Sequence, residues 1–585
     1  MKPCNANRTC WNCPAAVLKG NVDFRACGQS KEKKKQLSEN QQVLIECSRR
    51  KELGHFAPTI TFEQCPEWEL NEEYQLYMLK NMRVMILGLD GYLGWTLALK
   101  LGKRGFKVSG IDNYWRRDCV MEKGAHTVVP IARMTERLRA AKEVLGININ
   151  FRKLDILDRS KLKEFLEEVK PEAIFHYAEC PSAPYSMVDA AHAVKVQENN
   201  VLGTLGLLWL MKETVPESCL IKLGTMGEYG APLTGRPLFE GMFPANAVLK
   251  WNDREWSLGG ELTPRDPVSF YHVSKVQDTF NVYEACKYWW LRSYDVMQGV
   301  IYGVHTDEVA ADPRLRTRLD MDEWFGTVIN RFVTQSILGM PLTIYGEGEQ
   351  IRGFIALDDA MQCMVRLICN PPEAGQYDVV NQVSGLIRIK ELAETVAKVS
   401  KDFGMNTKIQ RVENPRVEAD KHPLEVISTK LPNTLGFGPK ITFEKEITEM
   451  FKLLTQPEIK ARIEEKKHVI MPKTRWDGVK QESETFETYN PGTKIAASDT
   501  KIIEMLKKGR EKFAKSQQEG KIFSAVIANH LAGLNIDEKM VESVIKLCNT
   551  NSVDPMQWSE KDLGNIAAEL RKRTDGYRGV LHTKE

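Results

Sequence analysis

The chain has no long apolar run. No stretch approaches the roughly 20 consecutive apolar residues that a bilayer-crossing helix needs, so such a helix is not expected. It has little net charge either: 81 Lys and Arg against 78 Asp and Glu leave +3. That balance argues for neither a nucleic-acid binder nor a membrane-surface binder. The first residues, Met-Lys-Pro-Cys-Asn-Ala-Asn-Arg, lack the apolar core of a secretory leader, so the cytosol is the expected location. Cysteine is sparse outside one region. Of 13 cysteines, six fall in the first 65 residues: Cys4, Cys10, Cys13, Cys27, Cys47 and Cys65. The others sit among apolar segments and read as buried free thiols.

Without an export signal, the N-terminal cysteines read as a metal site or reduced thiols rather than a disulfide framework. Cys10-Trp-Asn-Cys13 has a spacing that closes on one ion. Cys4 and Cys27, with Cys47 as a substitute, could complete a four-thiolate shell for zinc or an iron–sulfur cluster. The second pair lacks that spacing, so free cysteines in a small appended layer stand as the alternative.

What is present is dominated by one stretch, Met82-Arg-Val-Met-Ile-Leu-Gly-Leu-Asp-Gly-Tyr-Leu-Gly94. Residues 83–87 read as a buried parallel strand. Gly88, Gly91 and Gly94 follow, then a segment of helical period. Strand, glycine turn and helix together make a phosphate cradle, because glycine admits a tight turn and the helix N-terminus carries partial positive charge. Residues 106–112 form a second strand ending in Asp112, placed to bind both hydroxyls of an adenosine ribose. Asn113 and the basic pair Arg116-Arg117 follow, available to cofactor phosphates. Asp112 would repel a 2′-phosphate, which favours NAD over NADP. Residues 150–154 are a strand leading to Asp155-Ile156 at the adenine edge. Residues 172–177 are another, leading into a loop from Ala178 to Tyr185 that would cross the cofactor.

A further buried strand, 219–224, exits into Thr225-Met-Gly-Glu-Tyr-Gly230. After a long polar insertion comes Tyr271-His-Val-Ser-Lys275. Tyr271 and Lys275 are four apart and share one helical face. A free tyrosine, with a pKa of about 10, is a poor base near neutral pH. A lysine ammonium beside it favours the phenolate and can hold the nicotinamide ribose. Thr225 can hydrogen-bond the substrate hydroxyl. A chance Tyr-x-x-x-Lys is common alone, but not after a glycine turn, Asp112 and Thr225.

On these motifs, residues 82–480 resemble the extended short-chain dehydrogenase/reductase superfamily (NAD-dependent epimerase/dehydratase) and, within it, the UDP-sulfoquinovose synthase family. The strings that carry the likeness are Ser182-Ala-Pro-Tyr-Ser-Met187, Leu223-Gly-Thr-Met-Gly-Glu-Tyr-Gly230, Phe270-Tyr-His-Val-Ser-Lys275, Arg318-Leu-Asp320 and Asn414-Pro-Arg-Val-Glu-Ala419. The resemblance implies an NAD-dependent enzyme acting on a UDP-sugar, UDP-glucose foremost, through a 4-keto intermediate. Sulfite, free or from a donor protein, then adds at C6. It implies Thr225, Tyr271 and Lys275 as catalytic, with Glu228 and His272 as protonatable groups for the C5 and C6 steps and Met226 against the sugar. Ser182, Gln298, Arg352 and Arg416 would bind substrate, the two arginines clamping its diphosphate. Residues 324–333 are expected to form a helix on the nucleotide side. A homodimer through two long helices per subunit is also implied.

One departure stands out. The family carries Gln-Arg before the Ser-Ala-Pro-Tyr-Ser string, where this chain has Cys180-Pro181. Proline has neither the charge nor the donor fork of arginine. A sulfite-independent epimerase or dehydratase is therefore the rival reading, and a non-catalytic NAD or sugar-nucleotide sensor a more distant one. Cys180 reads as a packed thiol ahead of a reactive one.

The expected architecture is α/β: a Rossmann-type doubly wound parallel sheet with a smaller C-terminal α/β substrate lobe. Residues 1–81 are a Cys-rich extension, 82–480 the NAD-binding domain with its UDP-sugar lobe, and 481–585 a linker and helical appendix. The appendix carries no recognisable chemistry.

Overall fold

In this computed structural model, the described residues are 79–230, 235–414 and 424–471, with Thr474, Trp476 and two short strands, Ala16–Lys19 and Leu44–Cys47. Those two strands pair antiparallel. The described residues fall in one compact unit of the chain, Met1–Val479.

Seven strands form the central sheet: β1 (Arg83–Leu87), β2 (Lys107–Asp112), β3 (Ile149–Lys153), β4 (Ala173–His176), β5 (Cys219–Thr225), β6 (Arg292–Gln298) and β7 (Tyr377–Gln382). Their order across the sheet is β7-β6-β5-β4-β1-β2-β3. Every neighbouring pair is parallel. The order reverses between β1 and β4, and the crevice at such a switch point, at the carboxyl ends of the strands, is where α/β sheets bind nucleotides.

The sheet is buried on both faces. Val84 and Ile86 of β1 join one apolar core, while Met85 and Leu87 join the other, as the two-residue period of a strand requires. Helix α1 (Tyr92–Lys103) starts at Gly91 and buries Trp95, Leu97, Ala98, Leu99 and Leu101 against the first face. Helices α2 (Gly203–Thr214) and α3 (Phe270–Trp289) pack against one another beside the other face. A π-helical turn, Glu198–Leu202, leads into α2 and buries Asn199 and Asn200.

The smaller lobe has its own core. Strands Val300–Tyr302, Ile351–Ala356 and Gly385–Arg388 form one sheet, and Leu342–Tyr345 pairs in parallel with Ile409–Val412. Helices Val328–Ile337, Ile389–Ser400, Phe443–Leu454 and Pro457–Glu465 contribute Phe332, Leu392, Phe451 and Ile459 to that core.

One local expectation is corrected. The helix expected over 324–333 starts later, at Val328, because Asp322 accepts the backbone N–H of Trp324 at 3.0 Å and of Phe325 at 2.8 Å and holds a turn there. The insertion before Tyr271 carries an antiparallel hairpin, Val248–Trp251 with Arg254–Ser257. Its two-residue turn, Asn252-Asp253, has both φ positive, at 46° and 62°, the backbone twist that tight hairpins favour.

Among the described residues no helix is long and apolar enough to cross a membrane. None of their His, Cys, Asp and Glu side chains cluster in a group of three or more able to hold a metal. Cys4, Cys10, Cys13 and Cys27, and residues 481–585, lie outside the described residues.

Candidate active site

The glycine turn is built so that side chains would not fit. Gly88 has φ +86°, and a Cβ there would come within 2.6 Å of the Tyr177 backbone; one at Gly94 would come within 2.1 Å of Gly88 O. Only glycine fits both places, and the chain can therefore turn tightly into α1. One cavity is lined by Gly88, Gly91, Gly94, Asp112, Asn113, Arg116, Ile156, Tyr271, Lys275 and Gln298. Five segments far apart in sequence thus meet at the switch point.

Asp112 ends β2 on this wall. Its carboxylate accepts the backbone N–H of Asp90 at 2.8 Å and of Tyr114 at 2.6 Å. Burial, with Asp90 close by, pushes its carboxyl up to about 6. Asn113 accepts the Trp115 N–H at 2.8 Å and donates to Asp155 at 2.8 Å. Asp155 thereby braces Asn113. Arg117 turns to Asp90. It grips Asp90 through two bonds of 2.6 and 2.7 Å, and Arg137 adds a third at 2.8 Å. Arg116 remains on the cavity wall.

Tyr271 and Lys275 sit in the first turns of α3, whose N-cap Ser269 accepts the His272 N–H at 3.3 Å. Both are buried, at 9% and 2% exposure. The Lys275 ammonium donates to Leu223 O at 2.6 Å and to the Glu179 carboxylate. Burial opposes the Glu179 charge, but Lys275 and His176 outweigh it and bring the pKa down to about 2. Burial, then the charges of Glu179 and Glu228, push the Tyr271 phenol well above its ordinary value. The lysine charge is spent on Glu179, a residue that sequence reasoning passed over. Its signal was an acid just beyond a fully buried strand, on the carboxyl edge of the sheet.

Thr225 ends β5 level with Gln298 of β6 and accepts the Gly227 N–H at 3.2 Å. Three residues of this turn or near it bond or pack within the chain. Glu228 is fully buried and lies under the turn, where it accepts the Thr225 N–H at 3.2 Å and the Thr279 hydroxyl at 2.8 Å, and meets Lys222 at 3.4 Å. It is not on the cavity wall. Met226 packs onto the apolar core. Ser182 caps a short helix, accepting the Tyr185 N–H at 3.0 Å and donating to Trp324 O, so its hydroxyl is occupied by the chain itself. His272 lies over the turn: a Cβ on Gly227 would come within 2.2 Å of its Nε2, and its Nδ1 bonds Ser269 at 2.9 Å.

Gln298 reaches the cavity while donating to Gln382 at 2.7 Å. Arg352 lies on its lobe strand, donating to Ile351 O at 3.0 Å, and is not among the cavity-lining residues. Arg416 lies outside the described residues. Pro181 is on the wall. Cys180 is buried, its backbone N–H donates to Asn200 at 2.8 Å, and burial pushes its thiol up to about 12, which makes it a packed thiol.

A glycine turn, an acid closing β2 and a buried tyrosine–lysine pair around one switch-point crevice define a dinucleotide-binding domain of the short-chain dehydrogenase/reductase type. A profile of the NAD dependent epimerase/dehydratase family matches residues 84–381, and the chain belongs to that family. It is similar to UDP-sulfoquinovose synthase of Sulfolobus acidocaldarius, at 42% identity over 68% of this chain and 98% of that protein. It is also similar to the chloroplastic UDP-sulfoquinovose synthase of Spinacia oleracea, at 38% identity over 68% of this chain and 81% of that protein. Among solved structures, UDP-glucuronic acid 4-epimerase from Bacillus cereus matches at 18% identity and TM-score 0.46, covering 64% of this chain and 99% of that one.

Proposed function

We propose that the protein converts UDP-glucose, through a 4-keto intermediate and with sulfite as nucleophile, to UDP-sulfoquinovose. The observation that carries the reading is the shared cavity on which the glycine turn, Asp112, Tyr271 and Lys275 meet. The 42% identity to a UDP-sulfoquinovose synthase over 98% of its length supports the choice of substrate.

The residues fit NAD: the tight glycine turn brings its backbone and the start of α1 to the cavity wall, where a diphosphate would lie, Asp112 would accept the ribose hydroxyls, and Asn113 and Ile156 would flank the adenine. Bound NAD supplies a hydride acceptor and donor for C4 of the sugar. Tyr271 takes the proton of the C4 hydroxyl, Lys275 holds the nicotinamide ribose, and Thr225 fixes the hydroxyl's direction. His272, which lies over the turn, is the protonatable group for the C5 and C6 steps. Incubation with UDP-glucose, with and without sulfite, tests the reading by mass spectrometry. A sulfonated UDP-sugar formed only with sulfite is expected. A changed sugar without sulfite would instead establish the epimerase or dehydratase reading, which Pro181 on the cavity wall favours.

Asp112 makes NAD binding pH-dependent. Its carboxylate form accepts ribose hydroxyls, and its pKa of about 6 means that protons compete below that pH. NAD affinity of nucleotide-stripped protein should be flat above about pH 6.5 and fall below about 6. Asp112→Asn should bind weakly throughout and lose the pH dependence. Fluorescence titration checks both.

A homodimer also follows from this reading. Val194, Leu202 and Phe270, at 54%, 45% and 51% exposure, line one apolar groove beside α3. Side chains of this size are seldom left clustered in water. Val194→Glu with Leu202→Glu should give a folded monomer by light scattering; a persisting dimer would place the interface elsewhere.

A further inference from the structure

Two arginines on the cavity wall are left with an unused donor. Arg318 is 3% exposed. Its Nε and Nη2 each donate to Asp320 at 3.1 Å, while its buried Nη1 has no partner. Arg116 donates to the same carboxylate at 2.7 Å, and its guanidinium carbon lies 3.4 Å from the centre of the Phe325 ring. Its Nη1 is also buried and unpartnered. Both arginines line the cavity together with Pro181, Phe325 and Tyr271.

Two guanidiniums share the Asp320 carboxylate, and each keeps one buried donor nitrogen that this carboxylate does not occupy. The next carboxylate, Asp322, is turned to the backbone N–H groups of Trp324 and Phe325. Arg117 and Arg137, the neighbouring cations, are committed to Asp90. A buried charged donor left unpaired is unfavourable, and a planar guanidinium matches oxyanion geometry. The seat has an aromatic floor at Phe325 and no competing donor from Pro181.

We propose that Arg116 and Arg318 form an oxyanion seat in the cavity wall, and that the anion it takes is sulfite. The proposal rests on the sulfonation reading above. Held by its oxygens, sulfite keeps the sulfur lone pair free. That pair forms the C–S bond at C6 of the unsaturated 4-keto sugar, the C5–C6 π pair moves into an enolate on the C4 oxygen, and C5 then takes a proton. The three sulfite oxygens remain as the sulfonate, and this addition needs no further oxidant or reductant. The shared chemistry of the seat would also suit a diphosphate oxygen of the sugar nucleotide, and the experiment separates the two.

The full-length protein with bound NAD is assayed with varied sulfite and UDP-glucose. Arg318→Gln and Arg116→Gln should each raise half-saturating sulfite by about tenfold or more, the size of one lost charge-assisted donor, and leave that for UDP-glucose unchanged. Arg318→Lys should recover part of the loss. With wild-type protein, where folding is not in question, sulfate should compete with sulfite but not with UDP-glucose. Weakened UDP-glucose with unchanged sulfite would give the seat to the diphosphate and overturn the sulfite assignment; sulfate that fails to compete would do the same. If wild-type protein makes sulfonate and the variants saturate normally, the seat falls while the function stands. If wild-type protein makes no sulfonate, both fall.

Discussion

Tyr271→Phe should give a folded protein whose turnover is lower by about 10²–10⁴-fold, the usual range for removing a positioned acid–base group. The substitution removes one oxygen and leaves the ring among Tyr185, Cys180 and Val196. The backbone bond from Tyr271 N to Ser186 Oγ, at 3.0 Å, is untouched, so stability should change little. The phenol's direction of shift adds a second readout. In the chain alone, burial and the charges of Glu179 and Glu228 raise its pKa, so the ionised form gains with rising pH. The rate of C4 oxidation should therefore climb toward alkaline pH, and Glu179→Gln, which removes one of the opposing charges, should move that climb to lower pH. Single-turnover absorbance of reduced nicotinamide measures both. Unchanged turnover in Tyr271→Phe would falsify the proton-transfer assignment.

Lys222→Met should be the most destabilising single change of the set. Lys222 is fully buried, with its ammonium 3.4 Å from Glu228, 3.3 Å from Asp295, 3.1 Å from Lys275 O and 3.0 Å from Thr279. Methionine fills most of the space but leaves two buried carboxylates without their cation. Removing one partner of such a group costs about 3–5 kcal/mol, which for a domain of this size lowers Tm by about 5 °C.

The deficit should depend on pH in a definite sense. Burial already raises the Glu228 pKa above the ordinary carboxylate value, and losing Lys222 raises it further. A carboxyl whose folded pKa lies above its unfolded one destabilises the fold when ionised and ceases to do so as it protonates. The gap between variant and wild type should therefore be widest near neutral pH and shrink as pH falls toward 4.5. Calorimetry at several pH values tests this; a gap that widened on acidification would mean that the carboxylates do not carry the cost. Activity should fall as well, because Lys222 also anchors the Lys275 backbone and Glu228 holds the Thr225 turn.

Much of the cofactor half was legible along the chain because its signals are local. A strand, a glycine turn and a helix are consecutive residues, and the observed β1 spans Arg83–Leu87 as its apolar run implies. Asp112 closes the next strand, and Tyr271 and Lys275 lie on one helical face. The substrate half was harder to read. Ser182, Met226 and Glu228 were legible as motif members, yet the fold uses the serine as a cap, the methionine in the core and the glutamate under a turn. A string tells which residues are near each other in sequence, not which way each side chain turns.

The sequence by itself determined the alternation of strands and helices, the glycine cradle, the ribose acid and the tyrosine–lysine pair. In each, the chemistry follows from spacings of a few residues, set by strand and helix periods. Tertiary structure alone decided which charges face which. It set Lys275 on Glu179, Arg117 on Asp90, Asp155 behind Asn113, and Arg116 and Arg318 together on Asp320. Most of these pairs join segments far apart in the chain. Burial makes them strong, because a charge taken from water must find its partner wherever the fold brings one.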